Sequence, residues 1–128
     1  MRITAELACL ALVAGCATTH QPARPVDAQD LIGTWKVDLR PTPRAAAYFQ
    51  EFVVTSVSEK TFTGSFYGTP IEQARINTAW GAVRIGFVTS DQTGPYNHSA
   101  TLVGDRLEGL TNATGRNFLS YWTAAKPQ

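Results

Sequence analysis

Four side chains in the C-terminal half of the chain carry the functional groups of a serine hydrolase. They are His98, the serines Ser99 and Ser120, and Asp91. In such an enzyme a histidine takes the proton of the serine hydroxyl, and a carboxylate orients the histidine. No nucleophile-elbow motif surrounds either serine. Because Ser99 directly follows His98, their side chains would face opposite ways on a strand. The sequence therefore does not predict an enzyme.

Metal and nucleic-acid chemistry also find little support in the residue counts. Two of the residue types that build metal sites are scarce, since the chain has only two histidines and two cysteines, and both cysteines, Cys9 and Cys16, lie near the start. Lys+Arg number 11 against 10 Asp+Glu, for a net charge of +1. Nucleic-acid binding needs a surplus of basic side chains on one face. We expect no metal, no other cofactor and no nucleic-acid partner.

Arginine, tyrosine and asparagine concentrate in segments that have the composition of loops. Arginine and tyrosine are enriched in binding sites because each combines contact area with directional hydrogen-bond donors. As a group, these residues are the candidate site for a ligand or partner. They are Arg40, Arg44, Tyr48, Tyr67, Asp91, Tyr96, Asn112, Arg116 and Asn117.

The N-terminal segment has the pattern of an export signal. A basic start at Arg2 is followed by an apolar run over residues 3–13, which is shorter than the roughly 20 residues of a membrane span. The run ends in Leu-Val-Ala-Gly-Cys at residues 12–16. This ending resembles the lipobox of bacterial lipoproteins. The resemblance implies that residues 1–15 are a signal peptide and that Cys16 is lipidated.

A lipidated Cys16 would set the location of the protein. Two or three acyl chains make a stable membrane anchor, and Ala17 after the cysteine implies sorting to the outer membrane. We therefore expect a protein anchored in the envelope of a bacterium and facing the periplasm. Residues 16–30 contain prolines and no apolar period, which favours a flexible tether. Residues 31–126 would form the folded domain.

Short runs of β-branched and aromatic residues follow one another from residue 31. Apolar and polar residues alternate within them, as in Trp35, Val37 and Leu39, which indicates strands with one buried face. We predict an all-β domain, an eight-stranded antiparallel up-and-down barrel. The predicted strands are residues 31–39, 49–57, 61–67, 71–77, 79–89, 96–103, 106–111 and 118–123.

The connections between these strands predict two unlike ends of the barrel. Tight turns are expected at residues 58–60, 77–78 and 104–105, and longer loops at 40–48, 68–70, 90–95 and 112–117. Alternate connections of an up-and-down barrel fall at the same end. The end with the tight turns, where the chain also enters and leaves, is called the closed end here. The end with the longer loops, which hold the candidate site, is called the mouth.

The start of the first predicted strand resembles the lipocalins and their calycin relatives. It reads Leu31, then Gly33-Thr34-Trp35. The resemblance implies that Gly33 and Trp35 close one end of the barrel and that a basic residue near the C-terminus, here Lys126, packs over the indole. It also implies a small apolar or amphipathic ligand inside the barrel.

Three segments also resemble avidins. Gly33, Trp35 and Asp38-Leu39 fit the avidin pattern, as do Phe-Thr-Gly at residues 62–64 and a tryptophan, Trp122, in the last strand. Avidins hold biotin with polar side chains at the positions of Val37 and Phe66. Because a site built for hydrogen bonds does not tolerate apolar residues there, we do not predict biotin binding.

Two functions remain open from the sequence. In the first, the barrel binds a small ligand, and Trp80 and Trp122 line its cavity. In the second, the barrel is solid and the mouth loops bind or inhibit a protein of the cell envelope. An eight-stranded barrel has an interior just wide enough either to be filled by side chains or to hold one small ligand, so the sequence leaves both open.

Overall fold

The alternating apolar residues build nine antiparallel strands. The structure is a computed structural model that describes Gly15 and residues 27–128. The strands are β1 (Gly33–Asp38), β2 (Phe49–Val57), β3 (Phe62–Phe66), β4 (Thr69–Pro70), β5 (Glu72–Asn77), β6 (Arg84–Asp91), β7 (Gly94–Val103), β8 (Arg106–Ala113) and β9 (Phe118–Ala125). They form one sheet in the order β4-β3-β2-β1-β9-β8-β7-β6-β5. The first and last strands, β1 and β9, pair in the middle of this order, and the sheet curls so that its two edges approach each other as a barrel.

The two outer members of this order, β4 and β5, follow each other directly in the chain, but only β5 corresponds to a predicted strand, residues 71–77, whereas β4 lies in the predicted loop of residues 68–70. The chain changes partner there, since β4 pairs with β3 and β5 pairs with β6. Hydrogen bonds join the start of β3 to β5 across the remaining seam, from Ile76 N to Lys60 O at 2.9 Å and from Thr61 Oγ1 to Ala74 O at 2.9 Å. The barrel is therefore nearly closed. The predicted all-β antiparallel barrel is confirmed, with nine strands instead of eight because the short β4 forms where a loop was expected.

Aromatic rings fill the middle of the barrel. The rings of Phe52 and Phe87 are stacked with centroids 5.1 Å apart, and Phe62, Phe66 and Trp122 pack against them. All five side chains are at most 4% exposed. Burial of such side chains contributes roughly 1.5–3 kcal/mol each, so this aromatic cluster supplies much of the core.

Trp35 seals the closed end. Its side chain is 1% exposed, and its Nε1 donates to the carbonyl of Leu31 at 2.8 Å. The Lys126 ammonium lies 5.0 Å from the indole centroid and donates to Asp30 O at 2.8 Å. Gly33 has a φ of 134°, and the Lys126 side chain occupies the space beside it. Gly33, Trp35 and Lys126 thus meet at the closed end, as the lipocalin resemblance implied.

The turns differ from the prediction at three places. Residues 67–68 and 92–93 are two-residue turns at the mouth, where longer loops were expected. Tyr67 and Gly68 both have positive φ, of 55° and 72°, which is the geometry of a tight hairpin. At the closed end, residues 78–83 form a loop instead of a tight turn after Asn77. Asn77 Oδ1 accepts from Ala79 N at 2.9 Å, which bends the chain out of the strand and delays β6 until Arg84.

The segment before the barrel is described only from Asp27 onward. Ala28–Leu31 form a short 3-10 turn, capped by the Asp27 side chain, in a stretch that the prediction assigned mostly to the tether. Cys16 and the predicted signal peptide, apart from Gly15, lie outside the described residues. Within those residues no helix has the length and apolar character to cross a membrane.

Candidate functional site

A cavity of about 380 Å³ opens at the mouth of the barrel. It lies above the aromatic cluster, so the barrel is filled in its lower part and open in its upper part. Its wall comes from six of the nine strands and from three of the mouth connections. The lining residues are Leu39, Tyr48, Phe66, Tyr67, Thr69, Thr89, Ser90, Asp91, Tyr96, His98, Thr111, Arg116, Phe118 and Ser120.

A buried hydrogen-bonded row forms the floor of this cavity. His98 Nε2 is 2.8 Å from Thr89 Oγ1, and His98 Nδ1 is 2.8 Å from Thr111 Oγ1. Trp122 Nε1 lies 2.9 Å from the same Thr111 oxygen. An indole N–H can only donate, so Thr111 Oγ1 accepts from Trp122. A neutral His98 ring donates from one nitrogen and accepts at the other, so it bonds to both threonines.

The surroundings of His98 keep its ring neutral. The side chain is 5% exposed and stacks on Phe87, with centroids 4.6 Å apart, and against Phe66 at 4.4 Å. Burial among these rings lowers the pKa of His98 to about 4, because a charged imidazole would lose its hydration. Near neutral pH the floor therefore offers polar groups without charge.

Tyrosines form the rim of the cavity on one side. The hydroxyl groups of Tyr48 and Tyr67 are hydrogen-bonded to each other, and Gln50 Nε2 donates to Tyr48 at 3.4 Å. The two rings meet edge to face with centroids 6.1 Å apart. This contact joins the loop of residues 39–48 to the turn after β3. Both rings remain nearly half exposed and line the cavity.

The turn between β6 and β7 forms the opposite side of the rim. Asp91 accepts hydrogen bonds from Thr93 N at 2.7 Å, from Thr93 Oγ1 at 2.5 Å and from the Tyr96 hydroxyl at 2.9 Å. These bonds and the positive charge of Arg116 hold the pKa of the Asp91 carboxyl below its ordinary value. The Asp91 carboxylate is thus already hydrogen-bonded within the β6–β7 hairpin. Arg116 stacks on Phe118, with its guanidinium carbon 5.0 Å from the ring centroid.

The structure brings five of the nine predicted site residues to the cavity. Tyr48, Tyr67, Asp91, Tyr96 and Arg116 line it. The other four, Arg40, Arg44, Asn112 and Asn117, lie outside it.

The four predicted residues outside the cavity have outward or local roles. Arg40 turns back along the chain and pairs with Asp38, with Nε to Oδ2 at 2.7 Å, and lowers the pKa of that carboxyl. Arg44 is exposed in the loop of residues 39–48. Asn112 is exposed at the end of β8, and Asn117 takes a positive φ of 55° before β9. The prediction for these four reflects only their location in or beside loops.

The two tryptophans predicted to line the cavity do not do so. Trp80 lies in the loop of residues 78–83 at the closed end, and its side chain is 79% exposed. The expected strand start at residue 79 was wrong, so the alternation that would have turned it inward does not apply. Trp122 is 1% exposed and lies below the floor, behind Thr111 and Phe66.

The floor residues were not predicted as a binding site. The sequence singles out His98 only as a catalytic or metal-binding candidate, and no motif in it singles out Thr89 or Thr111. The alternation of Tyr96, His98 and Ala100 along one strand places all three on the same face, and this was the available signal for an inward histidine. Which residues lie opposite His98 depends on strand register, since His98 pairs with Phe87 and Thr111.

The floor does not have the arrangement of a hydrolase. His98 hydrogen-bonds to two threonines, while Asp91 bonds to Thr93 and Tyr96. Over residues 27–128, no three His, Cys, Asp or Glu side chains come together as a metal site would require. Comparison with protein families, with curated proteins and with solved structures finds no match for this chain.

Proposed function

We propose that this protein is a binding module that holds one compact amphipathic molecule in the cavity at its mouth. The observation that carries the proposal is the 380 Å³ cavity with aromatic walls and an uncharged polar floor. Small-molecule sites typically have volumes of about 300–1,000 Å³, mostly apolar walls and a few polar groups that fix orientation. The cavity lies near the lower limit, so the ligand is small.

The filled lower barrel restricts the shape of the ligand. Phe52, Phe87 and Trp122 occupy the space through which a long chain would descend. A flat ring system fits the shallow space between Phe66, Tyr96 and Phe118, since aromatic faces stack favourably on one another. The Thr89 hydroxyl would hydrogen-bond to a polar group of the ligand at the floor.

The rim favours a polar or anionic group at the outer end of the ligand. Asp91 accepts three hydrogen bonds from its own hairpin, so it has little capacity left for a ligand cation. Arg116 contacts the Phe118 ring, and its planar N–H groups suit a carboxylate, sulfonate or phosphate. These features support a ligand with an apolar body and an acidic or neutral polar head.

A cavity-filling variant tests this proposal. Ser120→Phe places a ring in the cavity, while Leu119→Phe places one on the outer face of the same strand, where Leu119 is 66% exposed. The probe is anilinonaphthalene sulfonate, which is flat, apolar and anionic. We expect its fluorescence to rise on binding to the unaltered protein and to Leu119→Phe, and to stay low with Ser120→Phe.

Native mass spectrometry and Arg116→Gln complete the test. A small molecule that copurifies with the protein and is absent from Ser120→Phe would identify the natural ligand class. Arg116→Gln should weaken binding of the sulfonate probe and spare a neutral analogue. Equal probe binding by all variants, or no binding to the unaltered protein, would contradict the proposed cavity site.

The N-terminal sequence supports a membrane anchor for this module. We propose that Cys16 is acylated and that the protein is tethered in a bacterial envelope, at the outer membrane facing the periplasm. Growth with a labelled palmitate analogue should label the protein, and Cys16→Ser should remove both the label and the membrane association. Labelling that persists in Cys16→Ser would place the lipid elsewhere.

The exposed aromatic rim favours protein binding as a second candidate function. Tyr48, Tyr67 and Phe118 are each about 40–50% exposed around the mouth, and aromatic residues are enriched in the centres of interfaces. An envelope partner that docks on the rim would be lost from pull-downs with Tyr67→Ala plus Phe118→Ala. It would be retained with Ser120→Phe, which fills the cavity and leaves the rim in place.

A further inference from the structure

Trp80 is the one exposed tryptophan among the described residues. Its side chain is 79% exposed, while Trp35 and Trp122 are each 1% exposed. Exposed apolar side chains that group on one surface mark a site of contact with another molecule or a membrane, and Trp80 shares the closed end with the exposed Val103 and Ile32. Trp80 therefore needs an explanation that the core and the cavity do not give.

The loop that carries Trp80 is held in place on both sides. Asn77 Oδ1 accepts from Ala79 N at 2.9 Å, and the Arg84 guanidinium donates to Trp80 O at 3.4 Å. Val83 is 2% exposed, and its carbonyl accepts from Leu102 N at 2.9 Å. The indole thus projects into solvent from a backbone that is anchored to the barrel.

Trp80 lies at the end of the barrel where the chain enters. The strands place the loop of residues 78–83 beside the turn of residues 104–105, at the same end of the barrel as the segment that precedes β1. Val103 and Ile32, which are 43% and 39% exposed, lie at this same closed end. The cavity opens at the opposite end. If the closed end contacted another surface, the mouth of the barrel would remain accessible to a ligand.

We propose that the closed end rests on the lipid surface that carries the acyl anchor, with the Trp80 indole in the headgroup region. The inference rests on the proposed acylation of Cys16. Tryptophan is enriched at membrane interfaces because its ring is apolar and its N–H can donate to headgroups. Ten residues separate Cys16 from Asp27, and they span at most about 35 Å. The anchor therefore keeps the closed end close to the bilayer, where a weak contact is sufficient.

The apolar area, and not charge, is expected to hold this contact. Basic Arg84 and Lys126 at the closed end are accompanied by acidic Asp30 and Asp105. Mixed charges of this kind give no net attraction to an anionic headgroup. Contact of Trp80 with the bilayer should therefore change little when salt is added, in contrast to contact through a basic patch.

Fluorescence tests the proposal directly because the other two tryptophans are buried. The acylated protein, in vesicles of phosphatidylethanolamine and phosphatidylglycerol, is compared with Trp80→Phe, so that the difference reports Trp80 alone. We expect the Trp80 emission to shift to shorter wavelength, to lose most of its quenching by aqueous acrylamide and to be quenched by lipids brominated near the headgroup. Leu119→Trp in the Trp80→Phe background is the control near the mouth, and it should remain open to acrylamide.

A second attachment separates this inference from the proposed acylation. The chain with Cys9→Ser is coupled through the Cys16 thiol to a maleimide lipid in the same vesicles. Shielding of Trp80 from acrylamide in the coupled form supports the membrane-facing surface, whether or not cells acylate Cys16. A lack of acylation in cells would overturn only the proposed lipid anchor. Full acrylamide quenching of Trp80 in both vesicle-bound forms would overturn the membrane-facing surface.

Discussion

His98 makes the stability of the barrel depend on pH in a predictable window. The unfolded chain binds a proton on this histidine near its ordinary pKa of 6.5, while burial keeps the folded ring neutral down to about pH 4. Between these values the unfolded state binds more protons than the folded state. The free energy of unfolding must therefore fall as the pH falls. The part of the free energy of unfolding that depends on a neutral His98 is fully present above pH 6.5 and is lost below about pH 4.

The size of the loss follows from the difference between the two pKa values. Each unit of difference corresponds to about 1.4 kcal/mol. The fall from 6.5 to about 4 therefore lowers the free energy of unfolding by about 3 kcal/mol. A small domain has a total stability of roughly 5–15 kcal/mol, so this loss is a large fraction of the stability of the barrel. The cause is that a charged His98 would lie among Phe66 and Phe87.

Urea unfolding at several pH values measures this dependence. The unaltered protein is compared with His98→Gln, in which an amide replaces the imidazole between Thr89 and Thr111 and does not titrate. His20→Gln is the control, because it removes the other histidine and should retain the full dependence. An NMR titration of the His98 ring gives the folded-state pKa directly.

Equal losses of the free energy of unfolding by His98→Gln and the unaltered protein between pH 6.5 and about pH 4 would contradict this role of His98. Titration of the folded His98 ring at its ordinary pKa of 6.5 would contradict it as well. The lowered pKa values of Asp38 and Asp91 affect stability only at lower pH. Both aspartates are present in the two proteins, so their contribution cancels in the comparison.

Three substitutions test the packing around the cavity and at the closed end. Gly109→Ala should lower the free energy of unfolding by about 1–3 kcal/mol, since its Cβ would lie 2.3 Å from the Trp122 ring; thermal unfolding with near-ultraviolet circular dichroism checks this. Gly115→Ala should weaken probe binding, because its Cβ would meet the Thr93 carbonyl at 1.9 Å and push the two mouth turns apart; unchanged probe affinity would contradict this. Lys126→Met, which keeps the apolar stem, should cost about 0.5–1 kcal/mol of stability and leave probe binding intact, as urea unfolding and a fluorescence titration would show.

Much of the barrel can be predicted from the sequence because the alternation of apolar and polar residues along a strand is a local property. The bounds predicted for β2, residues 49–57, agree with the structure, and Gly104-Asp105 forms the expected two-residue turn between β7 and β8. Trp35 is buried as its position suggested. The loop around Trp80 was predicted incorrectly, because a side-chain hydrogen bond from Asn77 redirects the chain there. A single side-chain hydrogen bond produces no periodic pattern in the sequence, so alternation could not predict it.

The sequence by itself determined the antiparallel barrel, the residues that close one end and the N-terminal pattern from which acylation of Cys16 is proposed. These depend on period-two alternation and on short motifs, which neighbouring residues define. Only the tertiary structure decided that the lower barrel is filled, that the mouth encloses a cavity and that His98 lies in its floor between Thr89 and Thr111. Strand register sets those contacts across distant segments, and a shift of one residue would turn every side chain to the other face.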